Sequence, residues 1–134
     1  MNKWEQFYIG VAKQASLLST CKRLQVGALI VKDRRIISYG YNGTAPNMDN
    51  CCEENNVTKP EVIHAEANAI LKVAQSTETT NGCVMYTTHS PCFECAKMII
   101  ASGITKFVYL HNYRDEGGLN LLKQANVIVE QYEQ

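Results

Sequence analysis

The sequence lacks an excess of charge of either sign, because its 13 Lys and Arg residues balance its 13 Asp and Glu residues. Proteins that bind nucleic acid through a broad basic face carry net positive charge, so no nucleic-acid partner is predicted. The sequence also lacks an apolar run near the ~18 residues that a membrane-spanning helix needs. Internal repeats and low-complexity tracts are absent as well. An ordinary globular protein that does not enter a membrane is therefore predicted.

The first residues, Met-Asn-Lys-Trp-Glu, lack the apolar core of a secretory signal peptide. A cytoplasmic location is therefore predicted, in the host cytoplasm if the protein is viral. The chain has six cysteines, but Cys51 and Cys52 are adjacent and two others fit a metal site, so a reducing compartment is the simpler interpretation. A length of 134 residues suits one domain, residues 1–134, with its own hydrophobic core.

The residues with the clearest chemistry form two motifs, H-x-E at 64–66 and P-C-x-x-C at 91–95. An imidazole and two thiolates suit zinc, and a catalytic zinc site keeps its fourth position for water. Glu66 is better suited to carrying protons than to binding the metal, because a fourth protein ligand would close the site. The predicted zinc ligands are His64, Cys92 and Cys95.

The spacing within the second motif supports this interpretation. Cys92 and Cys95 are three residues apart, so on a helix they share one face. Pro91 is typical of a helix start, and thiols near a helix N-terminus ionise more readily.

Two simpler interpretations compete with a catalytic zinc site. A structural zinc site would need a fourth protein ligand, which Cys51, Cys52 or Cys83 could supply. A redox C-x-x-C motif would leave His64 and Glu66 unexplained.

Hydrophobic periodicity predicts an α/β fold. An aromatic and aliphatic stripe predicts a helix over residues 2–19 with that stripe in the core: Trp4, Phe7, Tyr8, Val11, Ala15 and Leu18. A hairpin, a tight turn at 40–43 and a long polar loop at 44–60 are predicted next. Helices and strands alternate after that, with strands at 25–31, 35–39, 83–88, 106–110 and 127–132 and helices at 63–76, 92–102 and 119–125. The result is a five-stranded mixed sheet with helices on both faces, whose last two strands are parallel.

Taken together, the motifs resemble those of the deoxycytidylate deaminases, zinc enzymes that convert dCMP to dUMP and ammonia and so supply dUMP for dTMP synthesis. The resemblance covers nearly the whole chain and rests on segments 21–31, 40–44, 64–70, 90–97 and 113–115. It implies a three-layer α/β/α cytidine-deaminase-like fold, one catalytic Zn²⁺ and Glu66 as the proton shuttle.

The resemblance also implies contacts with the nucleotide. The 5′-phosphate is expected at two arginines and a tyrosine, the sugar hydroxyl at an asparagine, and the base carbonyl at a backbone group. The implied substrate-binding residues are Arg23, Asn42, Ala65, Ser90, Pro91, Tyr113 and Arg114. The bidentate geometry of guanidinium suits the two arginines to phosphate.

Many members of this family are hexamers that dCTP, with Mg²⁺, activates and dTTP inhibits. The resemblance therefore implies a homo-oligomer and an effector site at Gly40, Tyr41, Asn42 and Gly43. Some phage relatives carry a second zinc on paired histidines before the H-x-E motif. This chain has no histidine over residues 45–63, so a second zinc of that kind is not expected. Cys51 and Cys52 could still take part in a metal site or pair with another thiol.

Rival functions remain open at this point. The same motifs occur in deaminases of tRNA adenosine, of free bases and of a riboflavin precursor. A non-catalytic, zinc-stabilised nucleotide-binding domain would also keep the scaffold, although it would not need Glu66.

Overall fold

The computed structural model describes residues 2–113 and 115–133. Its main sheet has five strands, which are β1 (Gly27–Lys32), β2 (Arg35–Tyr41), β7 (Val84–His89), β8 (Lys106–His111) and β9 (Ile128–Gln131). Their order across the sheet is β2-β1-β7-β8-β9. β1 pairs antiparallel with β2 and β7, whereas β7–β8 and β8–β9 are parallel. The predicted mixed sheet is confirmed.

Helices cover both faces of this sheet. They are α1 (Lys3–Ser16), α2 (Ala65–Ala74), α3 (Phe93–Ala101) and α4 (Gly117–Gln124). Alternate residues of β1 belong to two hydrophobic cores, one on each face of the sheet. Ala28 and Ile30 pack with α2, α3 and α4, while Leu29 and Val31 pack against α1. The predicted three-layer α/β/α arrangement is therefore confirmed. Among the residues described above, no helix combines the length and apolar character needed to cross a membrane.

The segment predicted as a long loop contains short strands instead. β3 (Gly43–Thr44) pairs with β6 (Val62–Ile63), and β4 (Glu53–Glu54) pairs with β5 (Val57–Thr58). We call residues 45–61 the excursion, because β3 and β6 hold its two ends side by side. We call residues 17–26, between α1 and β1, the connection.

The prediction that the whole aromatic stripe of α1 is buried was wrong. Trp4, Phe7 and Leu18 are 38%, 53% and 55% exposed, and Leu18 lies beyond the end of the helix. Tyr8 and Ala15 of the predicted stripe are buried, and Ile9, Ala12 and Ser16 complete the buried face. Small residues let α1 approach β1 closely, because a Cβ atom at Gly27 would overlap the carbonyl oxygen of Ala12.

The predicted tight turn at 40–43 was also wrong at its first two residues, because β2 continues through Tyr41. Gly40 is needed for a close contact between layers. A Cβ atom there would lie 2.4 Å from the carbonyl oxygen of Ala65 and 2.6 Å from the amide nitrogen of Ala69. Strand β2 can therefore lie directly on helix α2.

Candidate active site

The two motifs meet because two helices begin at the same place. His64 is the N-cap of α2 and Cys92 is the N-cap of α3, and both have extended backbone conformations. The Cys92 sulfur accepts a hydrogen bond from the backbone N–H of Cys95 at 3.4 Å. Backbone N–H groups at helix starts favour negative charge, so each helix directs its positive end toward the cluster.

The cluster has the dimensions of a zinc site. The Cys92 and Cys95 sulfurs each lie 3.4 Å from Nδ1 of His64. A tetrahedral ion with normal Zn–S and Zn–N bonds separates sulfur from nitrogen by about 3.6 Å. All three ligand atoms lie within 4.8 Å of one another. The residues present therefore fit Zn²⁺ without a rearrangement of the backbone.

The two thiols differ in acidity. A hydrogen bond from Cys95 lowers the pKa of Cys92 to about 4, and a hydrogen bond with His64 acts in the same direction. The same interaction with Cys92, together with burial, raises the pKa of Cys95. The two sulfurs thus differ in how readily they carry negative charge, and a bound divalent metal would favour the thiolate form of both.

Glu66 lies in the first turn of α2 and is 4% exposed. Burial raises the pKa of its carboxyl group to about 7, against the opposing effects of a backbone hydrogen bond and of His64. A carboxyl with this pKa exchanges protons near neutral pH, which suits a general acid and base. The position of Glu66 two residues after His64 places it beside the metal ligands.

A pocket of about 420 Å³ opens in front of this cluster. Five of the implied substrate-binding residues line it: Arg23, Asn42, Ala65, Ser90 and Tyr113. Pro91 is fully buried and does not line the pocket. Arg114 lies outside the described residues.

Asn42 connects the pocket to the start of β1. Its side-chain oxygen accepts from the N–H of Val26 at 2.8 Å, and its amide nitrogen donates to the carbonyl of Leu24 at 2.7 Å. An asparagine amide has two N–H groups and two oxygen lone pairs. One donor and one acceptor therefore remain available for a ligand.

Ser90 and Gly118 fix the loops around the second motif. The Ser90 hydroxyl accepts from the N–H of Tyr113 at 2.6 Å, and the Ser90 N–H donates to the carbonyl of His111 at 2.9 Å. At Gly118, a Cβ atom would lie 2.2 Å from the carbonyl oxygen of Pro91. The start of α4 therefore packs directly on the backbone that carries Cys92.

The comparisons with known proteins agree with this geometry. The family model described as the cytidine and deoxycytidylate deaminase zinc-binding region matches residues 2–111. The chain belongs to this deaminase family. The prediction of a deaminase is thus confirmed at the level of the family.

Similar members of the deaminase family come from a bacterium and from phages. ComE operon protein 2 of Bacillus subtilis is 39% identical, over 97% of this chain and 71% of its own length. Deoxycytidylate deaminase of Mycobacterium phage D29 is 35% identical, over 79% of this chain and 93% of its own length. A crystal structure of dCMP deaminase from cyanophage S-TIM5, in complex with dCMP and dUMP, is 41% identical with a TM-score of 0.96, covering 98% of this chain and 99% of the other.

Two histidines in the pocket were missed by the sequence analysis. His89 ends β7 and His111 ends β8, and the two residues are paired in the parallel register. Their rings lie 5.2 Å apart, and both line the pocket. Burial, followed by the charge of His111, lowers the pKa of His89. The available signal was that parallel strands end at one edge of a sheet, so residues at the ends of both strands meet there.

The sequence analysis also missed a disulfide, which joins Cys21 to Cys52. The simpler interpretation, a reducing compartment, did not predict this pair, whereas the alternative that Cys52 pairs with another thiol is confirmed. A Glu53 carboxylate oxygen lies within 4.8 Å of both sulfurs. Because these sulfurs are bonded to each other, they are not thiolates available to a second metal.

Proposed function

We propose that this deaminase hydrolyses dCMP to dUMP and ammonia, and so supplies dUMP for dTMP synthesis. The observation that carries the proposal is that the buried Glu66 lies beside His64, Cys92 and Cys95, whose spacing fits a zinc ion. The fold is shared with a phage dCMP deaminase whose structure was solved with dCMP and dUMP. The proposal treats residues 1–134 as one zinc-dependent deaminase domain, and its proposed location is the cytoplasm.

In the proposed reaction, His64, Cys92 and Cys95 hold one Zn²⁺. When bound, the metal supplies Lewis acidity that lowers the pKa of water toward neutrality. Glu66 accepts a proton from the attacking water, because the pKa of its carboxyl is raised to about 7. It delivers this proton to N3 of cytosine, then accepts the second proton from the hydroxyl group now on C4 and delivers it to the amino group, which leaves as ammonia. A single buried carboxyl can perform all four transfers, because it is shielded from bulk water.

The remaining pocket residues are proposed to orient the nucleotide. The Ala65 backbone and Ser90 lie beside Glu66 and Cys92 along the pocket wall, which suits them to the base. Asn42 retains one donor and one acceptor for the sugar hydroxyl. Arg23 and Tyr113 line the more exposed part of the pocket, where the phosphate is proposed to bind, with Arg114 as a further candidate.

Regulation and assembly form a separate part of the proposal. A hexamer activated by dCTP with Mg²⁺ and inhibited by dTTP, through residues 40–43, would agree with the family resemblance. Close packing on α2 already accounts for Gly40, so Tyr41, Asn42 and Gly43 are the better candidates. Light scattering and dCMP turnover with each nucleotide would test this part alone.

A panel of substrates tests the proposed function. Ammonia release is measured with dCMP, deoxycytidine, cytosine and tRNA, alongside the zinc content of the purified protein. We expect turnover of dCMP to exceed that of the others, with one zinc per chain. Equal turnover of deoxycytidine and dCMP would contradict the phosphate contacts, and zinc without turnover of any substrate would indicate a non-catalytic binding domain.

A further inference from the structure

The excursion is fastened to the connection beside the pocket. The Thr20 hydroxyl donates to the carbonyl of Asn50 at 2.7 Å, and the disulfide joins Cys21 to Cys52. Both segments have little regular secondary structure of their own at these positions. Their relative position therefore depends on these contacts and on those of the next residue along the excursion, Glu53.

Glu53 contacts the backbone of the connection directly. Its carboxylate accepts from the N–H of Lys22 at 3.3 Å and 3.1 Å, one distance to each oxygen. One of these oxygens also accepts from the N–H of Arg23 at 3.1 Å. Hydrogen bonds to an ionised carboxylate are roughly twice as strong as neutral ones. The backbone of Arg23 is therefore held in place by a side chain from a distant part of the chain.

The side chain of Arg23 depends on that backbone position. It is exposed, and its Nη1 donates to the Thr58 hydroxyl at 3.4 Å. Arg23, Glu53 and Thr58 all line the pocket. A misplacement of about 1 Å in a positioning group can cost about 100-fold in rate. A long exposed side chain on an irregular segment is open to such a misplacement unless its backbone is fixed.

Glu53 is poorly suited to contact a phosphate itself, because both groups are negative. Its effect on an anionic ligand has to pass through Arg23. We propose that Glu53 is a positioning residue, which holds Arg23 so that its guanidinium receives the 5′-phosphate and the pocket selects a nucleotide over a nucleoside. This inference rests on the proposed function.

The test measures kcat and KM for dCMP and for deoxycytidine in the same variants. These are Arg23→Ala, Glu53→Ala, Glu53→Gln and the double variant Glu53→Ala with Arg23→Ala. Glu54→Ala serves as the matched control, because Glu54 is the exposed neighbouring carboxylate on the same short strand. Thermal unfolding of each variant is measured alongside. The readout is the ratio of kcat/KM for dCMP to kcat/KM for deoxycytidine.

We expect Arg23→Ala to lower this ratio by about 10- to 100-fold, the range for losing one charged hydrogen-bond partner. Glu53→Ala should lower it by about 10-fold, mainly through KM for dCMP, because Arg23 is displaced but still present. Glu53→Gln keeps one oxygen acceptor and should recover part of the ratio. The double variant should match Arg23→Ala alone, and Glu54→Ala should match the wild type.

Three results would overturn the inference while leaving the proposed function intact. First, Glu53→Ala could lower kcat/KM for both substrates by the same factor, which would indicate a merely structural role. Second, the ratio in the double variant could fall by the product of the two single-variant factors, which would indicate that Glu53 acts independently of Arg23. The ratio could also be unchanged in Arg23→Ala. A wild-type protein that deaminates neither substrate would instead overturn the proposed function, and the inference with it.

Discussion

The two walls of the pocket are built differently. The metal wall, residues 64–66 and 91–95, sits at the starts of two helices packed on the sheet, and its Ala65, Glu66 and Cys95 are 0%, 4% and 1% exposed. The opposite wall, formed by the connection and the excursion, is irregular and largely exposed. A disulfide and a few side-chain hydrogen bonds hold it together. The residues proposed for the chemistry are thus positioned by helices, whereas those proposed to select the substrate lie on loops held together by a disulfide and side-chain hydrogen bonds.

The largest expected effect comes from removing a ligand on the metal wall. Cys92→Ala should abolish zinc binding and leave no measurable turnover, because a catalytic zinc site uses three protein ligands and only two would remain. The starts of α2 and α3 should also become less ordered, since metal binding and local folding are linked. Zinc content and amide hydrogen exchange would measure both effects. Stoichiometric zinc in this variant would show that the ligand set is different.

The next largest effect should come from Glu66→Gln, which keeps the shape of the metal wall. Zinc should remain, while kcat for dCMP falls by about 10²- to 10⁴-fold, the range for losing a general acid and base. Metal analysis and steady-state kinetics on the same sample would check this. Full turnover by the variant would remove Glu66 from the mechanism.

On the opposite wall, Cys21→Ser should act on stability more than on chemistry. The disulfide spans a sequence separation of 31 residues, for which chain entropy gives about 3 to 4 kcal/mol of stabilisation. Denaturant unfolding should report this loss, and hydrogen exchange should increase over residues 45–61. Cys51→Ser is the matched control, because Cys51 is an exposed free cysteine. A loss of zinc from Cys21→Ser would contradict the separation of the two walls.

The smallest of these effects is a pH dependence of the metal-free protein. The pKa of Glu66 is raised from 4.5 to about 7, so the folded state binds more protons than the unfolded state between these pH values. The neutral Glu66 carboxyl therefore stabilises the folded state fully below about pH 4.5. This stabilisation, about 3 kcal/mol in total, is lost as pH rises through about 7. Since Cys92 titrates with the opposite sign, the measurement is the difference in unfolding free energy between wild type and Glu66→Gln. A difference that is flat across pH 4 to 8 would contradict the raised pKa.

The sequence predicted the metal wall better than the opposite wall, for a physical reason. Cys92 and Cys95 are three residues apart at the start of one helix, so helical spacing brings them together. Glu66 follows His64, the N-cap of α2, by only two residues, so both lie at the start of the same helix. His89 and His111 meet only because β7 and β8 pair in one register, which is a non-local fact. The pairing of Cys21 with Cys52 likewise depends on where the excursion folds back, and spacing does not reveal that.

The strands and the parallel pairing of the last two were predictable from local sequence. Short apolar runs mark the strands, and the helix between β8 and β9 requires a parallel crossover, as observed. Burial within α1 was harder to predict, because Trp4 and Phe7 share the helical period of the true core residues. Their exposure depends on how the helix sits on the sheet, and the period of the helix does not carry that information.

The contact at Gly118 has a consequence for how variants of this enzyme should be interpreted. Gly118 has no side chain, yet its lack of a Cβ atom is what allows α4 to pack on the backbone of Cys92, a metal ligand distant in the sequence. A survey that scores substitutions by the chemistry they remove would pass over position 118. One that follows metal retention should find that adding a single methyl group at this position weakens zinc binding, because the backbone before Cys92 would have to move.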